Sequence, residues 1–341
     1  MYELKTKINN VSLLNISKHY VTYKKDKKLF ICHNEINIDP LLWKIDEKDK
    51  KIWLKDSLWN NYELDLETLE SKQLDINLAV NCIEDFIVGF SENGLGIFDK
   101  NNKKNIVYLK TELQSFKGCI FYENKIGLRT NLSIYFYDIK TGNPLWHFDL
   151  NQFGTYRKVT DDLAYKVVQF VGIWQGKLLV QLTNARLIAL DINTGELLHD
   201  IEINKTNPLT KAYYDAYIKM HLVDDKIIWL TNQTLLHIDL NTFTPVVVKE
   251  YYNLPKERQW RFMHNTYHKG KLYFTADYAW QYVTPSYVGV MDAQTGTVLW
   301  SQQLEKTGGL PEAPKVTDEK LYIRTNNKVL HIFEKTENES V

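Results

Sequence analysis

One short pattern, Asp-x-x-Thr-Gly, constrains this chain more than any other feature. It stands complete in Asp138-Ile-Lys-Thr141-Gly142-Asn-Pro-Leu-Trp146, Asp191-Ile-Asn-Thr194-Gly195-Glu-Leu-Leu-His199 and Asp292-Ala-Gln-Thr295-Gly296-Thr-Val-Leu-Trp300. Weaker copies are Asp239-Leu-Asn-Thr242-Phe243 and Asp65-Leu-Glu-Thr68-Leu69. The chemistry is that of a turn. The Asp carboxylate can accept backbone N–H groups two or three residues on. Gly supplies a positive φ without steric cost, and the Thr hydroxyl can join the same local network. A large apolar residue such as Trp146 or Trp300 then starts the next strand.

The surroundings of one copy show what the turn joins. Residues 178–182, 187–192 and 197–203 are apolar runs of strand length, separated by a few polar residues. Connections that short make the strands antiparallel neighbours. Landmarks recur at Asp65, Asp99, Asp138, Asp191, Asp239, Asp292 and Glu334, with spacings of 34, 39, 53, 48, 53 and 42 residues. That range suits four-stranded propeller blades with variable loops.

The Asp-x-x-Thr-Gly-x-x-Leu-Trp tail, complete at 138–146 and 292–300, resembles the PQQ-like (quinoprotein alcohol dehydrogenase-like) β-propeller repeat. With its degenerate copies it covers most of residues 50–335. The resemblance implies an all-β chain and is specific for fold. It is not specific for function, since the family holds dehydrogenases, an outer-membrane assembly lipoprotein and many binding proteins. A single propeller domain is expected over 1–335, followed by a charged tail, 336–341. Seven blades are counted, eight if residues 13–46 form their own, six if the first is incomplete. The last blade has three strands, near 313–316, 321–324 and 329–333. Its fourth, which would close the ring, should come from residues 2–8 or 28–33.

Lys+Arg and Asp+Glu are equal at 42 each, a balance unlike that of a nucleic-acid binder. The basic, aromatic segment 249–271 reads better as a solvated loop than as a strand-binding groove. Cys32, Cys82 and Cys119 form no Cys-x-x-Cys pair and fit a reducing compartment. No signal-peptide run follows Met1, and no apolar run approaches about 18 residues, so a cytoplasmic protein without membrane contact is expected. The abundance of Lys, Asn and Ile suggests an AT-rich bacterial genome.

In a blade of strands A to D, the A–B and C–D turns share one face. The Asp-x-x-Thr-Gly step is the C–D turn and so lies on the plain face. The longer connections, 151–166, 204–219, 253–262 and the insertion 277–286, lie opposite, where rigid scaffolds carry function. They hold Tyr213, Tyr214 and Tyr217, then Arg258, Trp260 and Arg261, then Tyr278, Trp280 and Tyr282. Singly, such residues usually fill gaps between blades. As a cluster on three blades they suggest a partner-binding face, because Tyr, Trp and Arg are enriched at binding hot spots.

Catalytic constellations are sparse. The resemblance would imply PQQ, calcium and often a vicinal Cys pair. No adjacent cysteines exist, the periodic Asp residues are explained as turns, and no cofactor-binding position carries over. His264 and His268 fall on an expected strand, where four residues span about 13 Å, too far for one metal. Asp224-Asp225-Lys226 reads as a tight turn, Asp161-Asp162 as residues on opposite strand faces, and Gly94-Leu-Gly96 as a hairpin. The expectation is therefore no enzyme, cofactor or metal, but a monomeric platform for a protein partner, for instance an immunity or scaffold protein. The alternative is an enzyme or small-molecule binder at the mouth of the central channel, using Arg157, Asp215, His221, Arg258, Arg261, His264 and Asp277.

Overall fold

A computed structural model describes residues 1–32, 34–83, 86–100, 105–158, 161–203, 218–252, 254–255, 259–278, 286–305 and 307–336. Among them the regular structure is strand apart from one short 3-10 helix, Leu150–Phe153. Eight four-stranded antiparallel sheets follow one another along the chain, each strand hydrogen-bonded to the next in sequence except where noted. They span residues 11–36, 40–74, 77–108, 118–149, 167–202, 221–250, 260–303 and 315–335, here blades 1 to 8. Blade 8 takes its fourth strand from the N-terminus: Tyr2–Ile8 pairs with Leu330–Lys335, from Tyr2 opposite Lys335 to Ile8 opposite Leu330.

The expected count of seven blades is thus corrected to eight. The additional blade, Val11–Ile16, Val21–Lys25, Lys28–Ile31 and Asn34–Ile36, carries no Asp-x-x-Thr-Gly landmark. Its third and fourth strands are too close for one. Its central hairpin turns at Asp26 and Lys27, both with positive φ, as a two-residue turn requires.

The chain divides into two compact units, residues 1–35 with 203–341, and residues 36–202. Within each, the core lies between successive blades. In the second unit Trp53, Leu78 and Phe98 join blades 2 and 3, and Phe136, Trp146, Val180 and Ile188 join blades 4 and 5. In the first, Phe262 and Phe274 of blade 7 pack with Ile228 and Leu230 of blade 6. Tyr23 of blade 1 packs with Tyr322 of blade 8. The middle strands read as continuous apolar runs, such as Lys177–Leu182, because both sheet faces are covered.

Each Asp-x-x-Thr-Gly step is a C–D turn, as its chemistry requires. Asp138 Oδ1 accepts the Thr141 backbone N–H at 2.7 Å and its hydroxyl at 2.9 Å, and Gly142 N–H returns to the Asp138 carbonyl at 2.8 Å. Asp191 and Asp292 repeat the arrangement. In the weaker copies Leu69 (φ 62°) and Phe243 (φ 53°) hold the left-handed position that Gly142 (φ 69°) occupies. The same turns join neighbouring blades. Trp146 Nε1–H of blade 4 donates to the Ile192 carbonyl in the turn of blade 5 at 3.2 Å. Tyr251, just after blade 6, donates to the Gly296 carbonyl in the turn of blade 7 at 2.6 Å.

Candidate functional site

The turns at the plain end of the blades are occupied with holding the fold. The residues expected to bind a partner belong to the opposite end, where A and C strands begin and B and D strands finish. Of the residues expected to bind a partner, Tyr213, Tyr214, Tyr217, Arg258, Trp280 and Tyr282 lie outside the described residues, as does Asp215. Tyr278 ends the second strand of blade 7, opposite Trp260.

Trp260 is 8% exposed. Its ring packs edge-on to Tyr287 at 5.2 Å and to Phe274 at 6.1 Å, so it belongs to the core of blade 7. Arg261 grips Asp277 with two parallel hydrogen bonds, Nε to Oδ1 at 2.9 Å and Nη2 to Oδ2 at 2.5 Å. Asp277 is fully buried; desolvation pushes its carboxyl upward and the Arg261 hydrogen bonds pull against that shift. A bidentate pair spanning adjacent strands ties them together.

Of the alternative set, Arg157 and His221 each have a side-chain partner of their own. Arg157 pairs with Asp162 across an exposed hairpin of Thr155–Lys158 and Asp161–Ala164. His221 Nε2 meets Asn265 Oδ1 at 2.6 Å, with burial lowering its pKa and the Asn265 contact opposing. His264 lies opposite Thr275, whereas His268 pairs with Asp318 at 2.9 Å. Among the described residues no group of three or more His, Cys, Asp or Glu side chains is placed to hold a metal ion.

Two features at this end were not singled out from the sequence. The first lies under the hairpin at 155–164, a segment read only as a long connection. Arg186, at the start of the third strand of blade 5, is stacked between Phe153 (4.0 Å) and Tyr165 (4.6 Å). Its guanidinium takes Asp200 with two hydrogen bonds, at 2.7 and 2.5 Å, and meets Glu202 at 3.3 Å. Tyr156 of the hairpin packs on Tyr165 at 5.0 Å, so the cage fixes the hairpin to blade 5.

The second is an exposed apolar patch on blade 2. Leu41 and Leu42 start its first strand, and Leu58 (78% exposed) and Trp59 (66%) form its B–C turn. The turn is built by Asp56, whose carboxylate accepts the N–H of Leu58 at 2.9 Å and of Asn60 at 2.8 Å. Those bonds leave Leu58 and Trp59 at the tip, Trp59 with φ 68°. Beside them is a groove of about 310 Å³ lined by Leu42, Lys55, Trp59, Phe90 and Phe116 together with Asn77 and the polar Gln114, Ser115 and Lys117. Phe90 and Phe116 lie 6.1 Å apart on its far side. In the sequence these are two separate pairs, Leu41-Leu42 and Leu58-Trp59, and only the pairing of the first strand of blade 2 with its second brings them to one strand end.

No protein-family model matches the chain, and no curated protein matches it. Among solved structures 1383 chains match, so the fold is widely shared and does not by itself indicate an activity. The crystal structure of BamB from Moraxella catarrhalis is similar at 12% identity and a TM-score of 0.63, over 98% of this chain and 100% of that one. The crystal structure of the computationally designed Ika8 protein is similar at 11% identity and a TM-score of 0.64, over 96% of each chain. At such identities only the fold is shared, and this chain is an all-β β-propeller of four-stranded antiparallel blades.

Proposed function

We propose that the protein is a non-catalytic platform that binds a protein partner at the loop end of its blades. The observation that carries this reading is the exposure of four large apolar residues, Leu41, Leu42, Leu58 and Trp59, at one strand end of blade 2, where Leu42 and Trp59 also line a groove. Clustered exposed apolar residues of this kind mark interaction surfaces, whereas singly scattered ones do not. In this reading the protein works as a monomer in the bacterial cytoplasm, as an immunity or scaffold protein, without nucleic acid, membrane or cofactor. The pairing of Arg261 with Asp277, of His221 with Asn265 and of His268 with Asp318 supports a structural use of those groups. Resemblance to PQQ-like repeats extends to the turn and the Trp that follows it.

The test is a photo-crosslinking amino acid placed at Leu58, and as a control at Lys140 on the opposite turns, expressed in the source cell. A discrete protein adduct from position 58 and none from 140 is expected. No adduct, or the same adducts from both positions, counts against the platform. Dye-linked alcohol oxidation after reconstitution with PQQ and calcium would establish the enzymatic alternative instead.

A further inference from the structure

We infer that the groove on blade 2 receives a partner segment that places an Asp or Glu carboxylate on Lys55, with a bulky apolar residue beside it on Trp59. The inference rests on the platform reading and names the chemistry of the partner. Lys55 is the reason. It is the last residue but one of the second strand of blade 2, Lys51–Asp56, and is only 6% exposed, an uncommon position for a lysine. Its ammonium donates to Asn77 Oδ1 at 2.5 Å and lies 5.2 Å from the centre of the Trp59 ring. Among the described residues no carboxylate pairs with it. The nearest in sequence, Asp56, is committed to Leu58, Asn60 and Tyr62. Burial alone pulls the Lys55 pKa downward, as an ammonium without a counter-charge requires.

A buried cation with one amide acceptor and a π-face is incompletely compensated. It has three donors and one oxygen partner. It also lines a groove whose walls combine the apolar Leu42, Phe90, Phe116 and Trp59 ring with Gln114, Ser115 and a second cation, Lys117. An occupant complementary to that surface joins an apolar body to an anionic oxygen group. Leu41 and Leu58, exposed at the same strand end but outside the groove, offer an occupant larger than a small carboxylic acid further apolar surface. A peptide segment supplies both the carboxylate and the flanking apolar side chain. Charged groups of this kind act mainly in specificity, because a partner lacking the carboxylate would bury the ammonium unpaired.

A random heptapeptide phage library selected on the immobilised full chain tests this. The selected peptides are then measured by fluorescence anisotropy against wild type, Lys55→Met and Trp59→Asn. Met keeps the length and packing of the Lys stem, and Asn suits the positive φ of an exposed position. Expected are peptides with Asp or Glu next to Leu, Phe or Trp, bound at least tenfold more weakly by either variant. Converting the peptide's acid to its amide should weaken binding to wild type and leave Lys55→Met unaffected, a double-mutant cycle that needs no comparison of stabilities. Peptides that lose affinity with Trp59→Asn but show no acidic preference and ignore Lys55→Met would overturn the carboxylate assignment while leaving the platform standing. A library yielding no binder sensitive to Trp59→Asn also overturns it. The platform itself fails through the crosslinking result at position 58 or through PQQ-dependent oxidation, neither of which these peptides measure.

Discussion

A Cβ built at Gly142 would lie 2.0 Å from the Tyr108 carbonyl oxygen, and one at Gly195 would lie 2.7 Å from the Trp146 ring. These glycines are needed twice, for a left-handed φ and for the close approach of the preceding blade. Gly142→Ala should therefore cost at least about 2 kcal/mol in urea denaturation, more than loss of φ freedom alone. Leu69 holds the same backbone position without glycine, at φ 62°. A left-handed non-glycine residue costs roughly 1–2 kcal/mol, partly offset by the greater unfolded-state freedom of glycine. Leu69→Gly should accordingly raise stability by a few tenths to about 1 kcal/mol. A neutral Gly142→Ala would show that the blade contact at Tyr108 is not what fixes glycine there.

At the scale of elements, the Arg186 cage decides whether the 155–164 hairpin stays on blade 5. Removing the guanidinium takes one partner from each of two carboxylates and the stacked cation from two rings. Breaking a fully buried pair costs about 3–5 kcal/mol. Asp200 is about a third exposed, so Arg186→Gln should cost less, about 2–3 kcal/mol, and hydrogen exchange in Thr155–Lys158 should quicken more than in the rest of blade 5. Equal exchange throughout would mean that the hairpin is held by its rings alone. The sequence showed the turns plainly, because Asp-x-x-Thr-Gly must be local to work. Strand positions followed, including the split of blade 8 between the two termini. Blade 1 was not counted because its last turn is too short to hold that motif. The Leu41–Leu42 and Leu58–Trp59 patch was hidden for a different reason. An apolar residue reads the same in a core strand and at an exposed strand end, and only the Asp56 turn decides which it is. Lys55 carries no local signal, because Asn77, which accepts from its ammonium, is brought to it only by folding.

Across the whole molecule, acid should act in two separate pH windows, because two kinds of group report on folding. His331 of blade 8 is 5% exposed, and burial lowers its pKa from 6.5 to about 4, so the folded chain keeps it neutral. A depressed folded pKa means that the unfolded state takes the proton first. The stability it contributes is complete above about pH 6.5, is lost as pH falls toward 4, and amounts to roughly 3 kcal/mol when fully lost. His199, His221 and His237 are lowered too, chiefly by desolvation, so His331→Gln should reduce the slope in this window without abolishing it. The turn carboxylates act lower. Asp138 is held below its ordinary 3.8 first by the Thr141 hydroxyl, and Asp65, Asp191 and Asp292 first by backbone N–H groups of their turns. Their contribution is present above about pH 3.8 and is lost as pH falls through the lowered values. Asn keeps the accepting oxygen but cannot titrate. The triple variant Asp138→Asn, Asp191→Asn, Asp292→Asn should therefore lose stability at neutral pH yet lie flatter than wild type below pH 3.8. His331→Gln should change only the upper window. Urea midpoints from pH 8 to 2 measure both. Because the turns recur in both units, either unit followed by its own tryptophans should show the lower window, whereas the His331 effect belongs to the unit containing residues 203–341. A single transition whose pH dependence both variants alter alike would refute the division.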